Sequence, residues 1–553
     1  MIRRLKLINQ YLHTARYLKP IQITTRIRYK LSKPRPQLGA APPVRRVTGI
    51  WQVACRRPAS MTSPTCLRLM EKERDLNSLK GWNDPSCEKL WLYNLHYFDD
   101  MNAEGHDYRT AWHTALIERW VRENPPVQGI GWDAYPISMR VMNWIKWSLE
   151  GNLLTDTAVQ SMAVQVRHLE SRIEFHLLGN HLLENAKALL FVGLFFEGTE
   201  AERWLNTGLK IIEQEVQEEL LTDGGHFELS PMYHSIVLED MLDLYNIVKA
   251  YPDAIPSQWR GFVGTWQTVI DKQRAWLQAM CHPDGDISLF NDATFGVAIS
   301  PKELEAYALR LGFSFTPLPK QGITVLAQTG YVRLQNNTAL LLTDVGNIGA
   351  DYIPGHGHAD VLTFELSLFG KRFVVNSGTS TYEPGTERIR QRATPAHNTV
   401  TVDTENSSEV WGSFRVAKRA RPVGLKTQIL PEGGWRVYCG HNGYRRLSGR
   451  VMHYREWNLN DTQLVVTDQL KGHYREAVAR FHLHPDIRKV ELVDETRCLL
   501  ERGGKLVEWS VEGGILTTEP STYHPALGVS LPNTCLVVRF QQSTVRQIVT
   551  WKE

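Results

Sequence analysis

The stretch Gly312-Phe-Ser-Phe-Thr-Pro-Leu-Pro-Lys-Gln-Gly322 divides the sequence into two textures. Its prolines cannot sit inside a regular helix, and its glycines end whatever precedes and follows. On the N-terminal side, from about residue 65 to 310, apolar residues recur at helical spacing. The pattern predicts helices over 108–123, 135–150, 156–177, 181–197, 199–220, 231–250 and 257–280. Short connections rich in Gly, Pro, Asn and Asp join them, such as Asn124-Pro125-Pro126 and Asp223-Gly224-Gly225. Helices so joined pack as antiparallel pairs. On the C-terminal side the runs are short, alternating or β-branched: Thr324–Leu334, Thr338–Asp344, Leu362–Leu368, Arg372–Val375, Asn398–Asp403, Gly434–Cys439 and Gln463–Asp468. Gly and Asn turns between them give the pattern of an antiparallel sandwich. The fold class expected is therefore α+β and multidomain, with a helical unit over 61–315 and a β-unit over 323–553.

A chain of 553 residues exceeds one ordinary core, which agrees with two large units. The seven cysteines include no CxxC pair, so a zinc ribbon is excluded and no disulfide scaffold is required. Neither a GxGxxG turn after a strand nor a P-loop is present, and no nucleic-acid-binding module is found. The longest apolar run, Ala188–Phe196, is too short to span a bilayer and reads as a buried helix.

The net charge of +4 conceals an asymmetry, because residues 1–70 hold fifteen Lys or Arg and no Asp or Glu. The remainder therefore carries a net −11 (+4 minus +15). Residues 1–60 read as a basic arm followed by a Pro-rich linker at Lys33–Pro43. Ile2, Leu5, Ile8 and Leu12 have helical spacing with Arg3, Arg4 and Lys6 among them. Such an arm suggests an anionic partner, which is a membrane surface reached through residues 1–34, an acidic glycan or an acidic face of another protein, or else it docks on the acidic remainder of its own chain. The N-terminus lacks an apolar h-region and a small-residue cleavage site, so the expected location is cytoplasmic or peripheral to the inner membrane, with the periplasm as alternative.

Four constellations carry chemistry. Gly179-Asn180-His181-Leu-Leu-Glu184-Asn185-Ala186 gathers an amide, an imidazole and a carboxyl at one helical end, where unpaired N–H groups also favour a carboxylate. Asp223-Gly-Gly-His226-Phe-Glu228-Leu-Ser230-Pro-Met-Tyr233-His234 leads a glycine turn into a helix, with Ser230 and Pro231 at its cap and Tyr233 in its first turn. In Pro354-Gly355-His356-Gly357-His358-Ala359-Asp360 the glycine allows one imidazole outward and one inward. Arg388, Arg390 and Arg392 stand at spacing two, able to face one side of an extended chain and meet an acidic polymer.

Together and in this order, the stretches GNHLLENA (179–186), HFELSPMYH (226–234), GHGHADVLTFEL (355–366) and VVNSGTSTYEPGTERIRQRATPAHNTV (374–400) resemble the heparinase II/III-like polysaccharide lyases and their alginate-lyase relatives. The resemblance covers roughly residues 90–480. It implies an incomplete α/α toroid followed by a β-sandwich, with the active site between them, and an acidic polysaccharide or oligosaccharide as partner. It also implies β-elimination at a uronic acid. Asn180 and His181 match the positions that neutralise the uronate, Tyr233 the acid or base, and His356 the second catalytic imidazole. Glu184, His226, Tyr382, Arg388 and Arg392 are implied as substrate contacts. For Tyr233 to act as base, cationic neighbours such as His181 and His356 must lower its pKa. No cofactor is required for this chemistry. A structural zinc is implied by His358 and His397, but the third ligand position holds Asn376 in place of Asp, a much poorer ligand.

Other activities use the same residues. A uronyl C5-epimerase shares the carbanion, a hydrolase would pair Asp223 with Glu228, and a glycan-binding partner in polymer assembly would need no turnover. With no leader features in the N-terminal stretch, the expected setting is bacterial capsule or exopolysaccharide metabolism.

Overall fold

The structure is a computed structural model that describes residues 2–552; of the side chains of Ile2, Arg3, Arg4 and Lys6 nothing is described. Helices α1 (Ile2–Ala15) and α2 (Pro20–Leu31) form the arm. The helical half contains α3 (Lys89–Tyr97), α4 (Thr110–Glu123), α5 (Ala134–Leu149), α6 (Asp156–Ser171), α7 (Asn180–Phe195), α8 (Thr199–Glu219), α9 (Pro231–Ala250), α10 (Arg260–Gly264), α11 (Trp266–Ala279) and α12 (Pro301–Arg310). These pack as antiparallel pairs into an incomplete α/α toroid. Every residue of α7 except His181 is buried. A helix apolar nearly all round belongs at the centre of a core, and α5, α8 and α9 pack against it. Its one buried cation, Lys187, meets Asp240 at 2.6 Å and Asp243 at 2.9 Å on α9, while Lys146 of α5 also pairs with Asp243.

The β-half opens with a five-stranded antiparallel meander, Gly322–Leu326, Tyr331–Gln335, Ala339–Asp344, Phe364–Leu368 and Lys371–Val374. The run expected as one strand over 324–334 is thus a hairpin, because Gly330 turns with φ +79 and a Cβ there would strike Gly346. An eight-stranded and a four-stranded antiparallel sheet complete the sandwich. Alternation along Met452–Leu459, buried at every second residue, shows why one face of the large sheet meets the core. The two halves share apolar contacts: Leu229, Trp276, Met280 and Phe290 pack with Leu326, Tyr331, Leu340 and Leu342.

The segment read as a Pro-rich linker lies as a strap along the toroid. Arg167 donates to the carbonyls of Gly39 (2.6 Å) and Ala40 (2.8 Å), and Arg45 to those of Leu194 and Phe196 (2.9 Å each). An extended proline-rich backbone cannot satisfy its own carbonyls, so Arg167 of the toroid does so, while Arg45 of the strap donates to carbonyls at the end of α7. Residues from Ala54 onward already lie in the toroid core. The arm ahead of the strap docks on both halves, with Tyr11 edge-on to Trp411 at 4.7 Å and Arg172 over Tyr29 at 4.2 Å.

Candidate active site

Four loop segments meet at the seam. Three of them hold a non-glycine residue in the left-handed region immediately beside a functional side chain. Leu178 (φ 64) precedes Gly179-Asn180, Leu229 (φ 59) separates Glu228 from the Ser230 cap, and Asn291 (φ 57) precedes Asp292. Such backbone costs on the order of 1 kcal/mol or more per residue and persists where the surroundings enforce it. Asn291 shows the enforcement: its Nδ2 donates to Leu229 O at 2.8 Å and its Oδ1 accepts from His358 N at 2.9 Å. Two glycines are required by close approach. A Cβ on Gly179 would sit 2.8 Å from Glu228 Oε1, and one on Gly357 would sit 2.1 Å from Ile348 O.

At the centre, the rings of Tyr233 and His356 stack with centroids 3.7 Å apart and planes 27° apart. Ser230 caps α9 by accepting from Tyr233 N at 3.3 Å, which fixes Tyr233 in the first turn. The Tyr233 hydroxyl donates to Tyr382 Oη at 3.3 Å. His356 Nδ1 lies 2.9 Å from Asp292 Oδ2, and its Nε2 stands 3.3 Å from Glu228 Oε2. The hydrogen-bonded carboxylate on Nδ1 holds a proton there, while Nε2 faces Glu228 with no hydrogen bond between them. Glu228 Oε1 also accepts from Asn180 N at 3.5 Å, so it bridges the two groups. At the adjoining end of α7, His181 Nδ1 meets Glu174 Oε2 at 3.2 Å and its ring packs on Tyr135 at 4.7 Å. Burial acts to depress the His181 pKa, but Glu174 outweighs it and the imidazole is held above its ordinary value. The Tyr233 phenol moves the other way from the cationic expectation. Burial first, then Tyr382, Asp292 and Glu228, push it well above 10, so it carries its proton.

Asp292 is the hub that spacing alone did not reveal. Besides His356, it accepts from His358 Nε2 at 2.9 Å, from Thr379 Oγ1 at 3.3 Å and from both Nη atoms of Arg388, one at 2.6 Å. Burial acts against its charge, but Arg388 and the two imidazoles hold the carboxyl well below the usual range. Its backbone N–H also donates to His356 O at 3.0 Å, tying the toroid loop to the sandwich loop.

Several residues expected at the substrate lie elsewhere. The arginines do not line one side of an extended chain, because Thr386–Gln391 is a short helix. Arg388 is fully buried on Asp292, and Arg392 is fully buried with its donors on the carbonyls of Gly357 (2.8 Å) and Gly412 (3.2 Å). Both hold loops together. Glu184, one turn down α7, is buried beside Asp240, and burial followed by that neighbour keeps its proton on. His226 is buried on Glu219 at 2.9 Å. Asp223 Oδ2 accepts from Gln328 N, Thr329 N and Thr329 Oγ1 at 2.8 to 3.0 Å, a turn clamp that occupies the acid expected to pair with Glu228 in a hydrolase. Tyr382 stands at the site, against Tyr233.

The implied metal position tests poorly. His397 Nδ1 lies 3.2 Å from Asn376 Oδ1, which also accepts from Thr363 Oγ1 at 2.9 Å, and His358 Nε2 is taken by Asp292. His358 Nδ1 and His397 Nε2 are buried with no hydrogen-bond partner among the described residues. Among those residues, however, no three His, Cys, Asp or Glu converge to hold an ion. Two neutral imidazoles and an amide do not fit a tightly held divalent zinc. Elemental analysis of the purified chain is expected to return well under one zinc per chain; one tight zinc, lost in His358→Ala, refutes this.

These buried imidazoles also set an acid limit. Burial holds His358 down at about 4, and His482 likewise at about 4. In the unfolded chain each titrates near ~6.5. Between those values the unfolded chain binds protons that the folded chain refuses, so stability falls as pH falls through the window, by about 3 kcal/mol for His358 by pH ~4. Buried Glu215 and Glu219, raised to about 9 and about 8, act in the opposite sense, so urea midpoints at pH ~7 and ~5 are compared between the parent and His358→Phe; a parent midpoint that falls no more than the variant's contradicts the assignment.

Comparison with known proteins places the chain in a family. A profile of the heparinase II/III N-terminus matches residues 92–308, and one of the heparinase II/III-like C-terminal region matches 319–552. A heparin-sulfate lyase of Bacteroides stercoris is 24% identical over 62% of this chain and 52% of its own length. The chain thus spans about half of that relative. FtsZ-localized protein C of Caulobacter vibrioides is 22% identical over 78% of this chain and 76% of its own. The crystal structure of heparinase III superposes with a TM-score of 0.66 at 18% identity, covering 85% of this chain and 79% of that one. With both halves matched in chain order around one seam, the chain belongs to the heparinase II/III-like family.

Proposed function

We propose that this protein is a polysaccharide lyase that cleaves a uronate-containing acidic glycan by β-elimination. The observation that carries the reading is the stacked Tyr233–His356 pair beside the Asn180–His181 end of α7. The α-proton of a uronate is too weakly acidic until its carboxylate charge is offset. Asn180 and the His181 imidazole, whose charged form Glu174 favours, supply that offset. His356 Nε2, with Nδ1 anchored on Asp292, takes the C5 proton. The C4–O4 bond breaks, a C4=C5 double bond forms, and O4 leaves with the Tyr233 proton. A protonated tyrosine suits that acid role.

Incubation with a panel of acidic polysaccharides is expected to yield new unsaturated ends absorbing in the near ultraviolet. C5 inversion without unsaturation would make the protein an epimerase, and new reducing ends without unsaturation a hydrolase. Unmodified glycan that is nonetheless retained would favour the binding-partner reading. That reading draws support from a relative, similar over three-quarters of its length, named for localisation rather than lysis. We assign residues 1–34 an anionic lipid surface as second partner, and hence a peripheral place at the inner membrane beside capsule or exopolysaccharide metabolism. The charge asymmetry of the arm supports this.

A further inference from the structure

Docking on its own chain and contact with a membrane are both among the readings of the arm's sequence, and its two helices have a separate face for each. One face is docked. Tyr11 and Thr14 of α1 meet Trp411 and Arg415, with Trp411 Nε1 donating to Thr14 Oγ1 at 3.2 Å. Arg419 lies over Tyr17 at 3.9 Å. Lys19 pairs with Glu218 and lies over Tyr352 at 3.9 Å, and Gln22 donates to Tyr352 O at 3.3 Å. These contacts fall on two loops that wall the site. Tyr352 stands four residues before His356, and Phe414, between Trp411 and Arg415, packs on His356 at 6.0 Å and under Arg388 at 5.3 Å.

The other face is apolar and uncovered. Leu5, Ile8 and Leu12 follow one stripe of α1, and Ile23, Ile27 and Leu31 one stripe of α2. Leu12 is 66% exposed, Ile27 55% and Leu31 79%. Aligned aliphatic side chains of this kind mark a surface built to be covered. Two occupants come into question, a second copy or a lipid surface, and charge separates them. Residues 1–35 carry ten Lys or Arg and no Asp or Glu, so two arms face to face would set cation against cation. An anionic bilayer accepts both the stripes and the charge. Among the described residues no helix is long and apolar enough to cross a membrane, so the contact is with the surface.

We propose that the arm binds an anionic bilayer while still docked, so that anchor and site wall are one unit and the rim of the cleft is held at the membrane surface. This rests on the assignment of a lipid partner to residues 1–34 and adds that the arm does not peel away to reach it. The cleft then meets glycan at the membrane rather than in bulk solvent.

The full chain is mixed with phosphatidylglycerol/phosphatidylcholine vesicles, pelleted, and followed by hydrogen exchange. Pelleting is expected with these vesicles at low salt. It should not occur with pure phosphatidylcholine, and should weaken in about 0.5 M salt, where screening acts within ~4 Å. Leu12→Glu with Ile27→Glu should reduce binding at least about tenfold while leaving the melting temperature near that of the parent, since neither side chain is a docking contact. In the bound state, amides of α1 and α2 should gain protection, while those of 346–355 and 408–416 exchange no faster than in free protein. No pelleting, or a dimer that the double variant dissolves, overturns the lipid partner itself. Pelleting with faster exchange in 346–355 and 408–416 keeps the partner and overturns the docked arm. No polysaccharide is present, so a failed lyase assay leaves this result standing.

Discussion

Tyr233→Phe is expected to lower turnover by about 100-fold or more on whichever acidic polysaccharide gives unsaturated product, with little change in KM. The substitution removes one hydroxyl. The ring stays stacked on His356 at 3.7 Å, and the lost hydrogen bond is a 3.3 Å contact to another phenol, so folding should be nearly untouched. What disappears is the proton for O4. Because burial and the carboxylates of Asp292 and Glu228 keep that proton on the phenol, the parent enters each cycle already loaded as an acid. Activity close to the parent in a variant with an unchanged melting curve would remove Tyr233 from the chemistry. Tyr382→Phe gives the contrast. Its hydroxyl accepts from Tyr233, and its loss should cost much less.

The fold was legible where periodicity was long and local. Each of the seven helices read from apolar spacing has a counterpart, because a stripe repeated over four turns is hard to mimic by chance. Strands were legible less often. The hairpin at Gly330 merged into one run, and the exposed strand Pro422–Ile429 has too little buried surface to impose alternation. The site divides along the same line. Asn180, Tyr233 and His356 stand out in the sequence because each belongs to a cap or glycine turn within a stretch resembling the family, and the structure stacks Tyr233 on His356. Asp292 lies in Leu289-Phe-Asn-Asp292, a short loop with no spacing that links it to residues 356, 358 or 388. Its role exists only after the toroid and sandwich meet. Arg388 and Arg392 failed for the same reason. Sequence showed three cations that could face an acidic polymer, and only the closed structure shows a buried carboxylate and backbone carbonyls consuming two of them.

Asp292→Asn is expected to damage both stability and catalysis, by separable routes. The amide keeps the size of the carboxyl but accepts through one atom, where the parent accepts from Arg388, His356, His358 and Thr379 through two. Arg388 is fully buried, so the change strands a guanidinium in the seam. Breaking a buried pair from one side costs about 3–5 kcal/mol, most of it the uncompensated charge. Arg388→Met in the same chain removes that charge and should recover a large part of the lost stability, measured as the urea midpoint. Turnover should not recover with it. An amide at position 292 that donates to His356 Nδ1 selects the wrong tautomer and turns the protonated nitrogen toward the cleft. In a serine protease the equivalent aspartate-to-asparagine change costs on the order of 10⁴-fold, and a loss of at least ~10³-fold is expected here. The double variant is therefore the decisive sample, well folded and nearly inactive. If it regains activity along with stability, Asp292 serves only to hold the seam closed; if Asp292→Asn alone is as stable as the parent, the carboxylate does not balance Arg388.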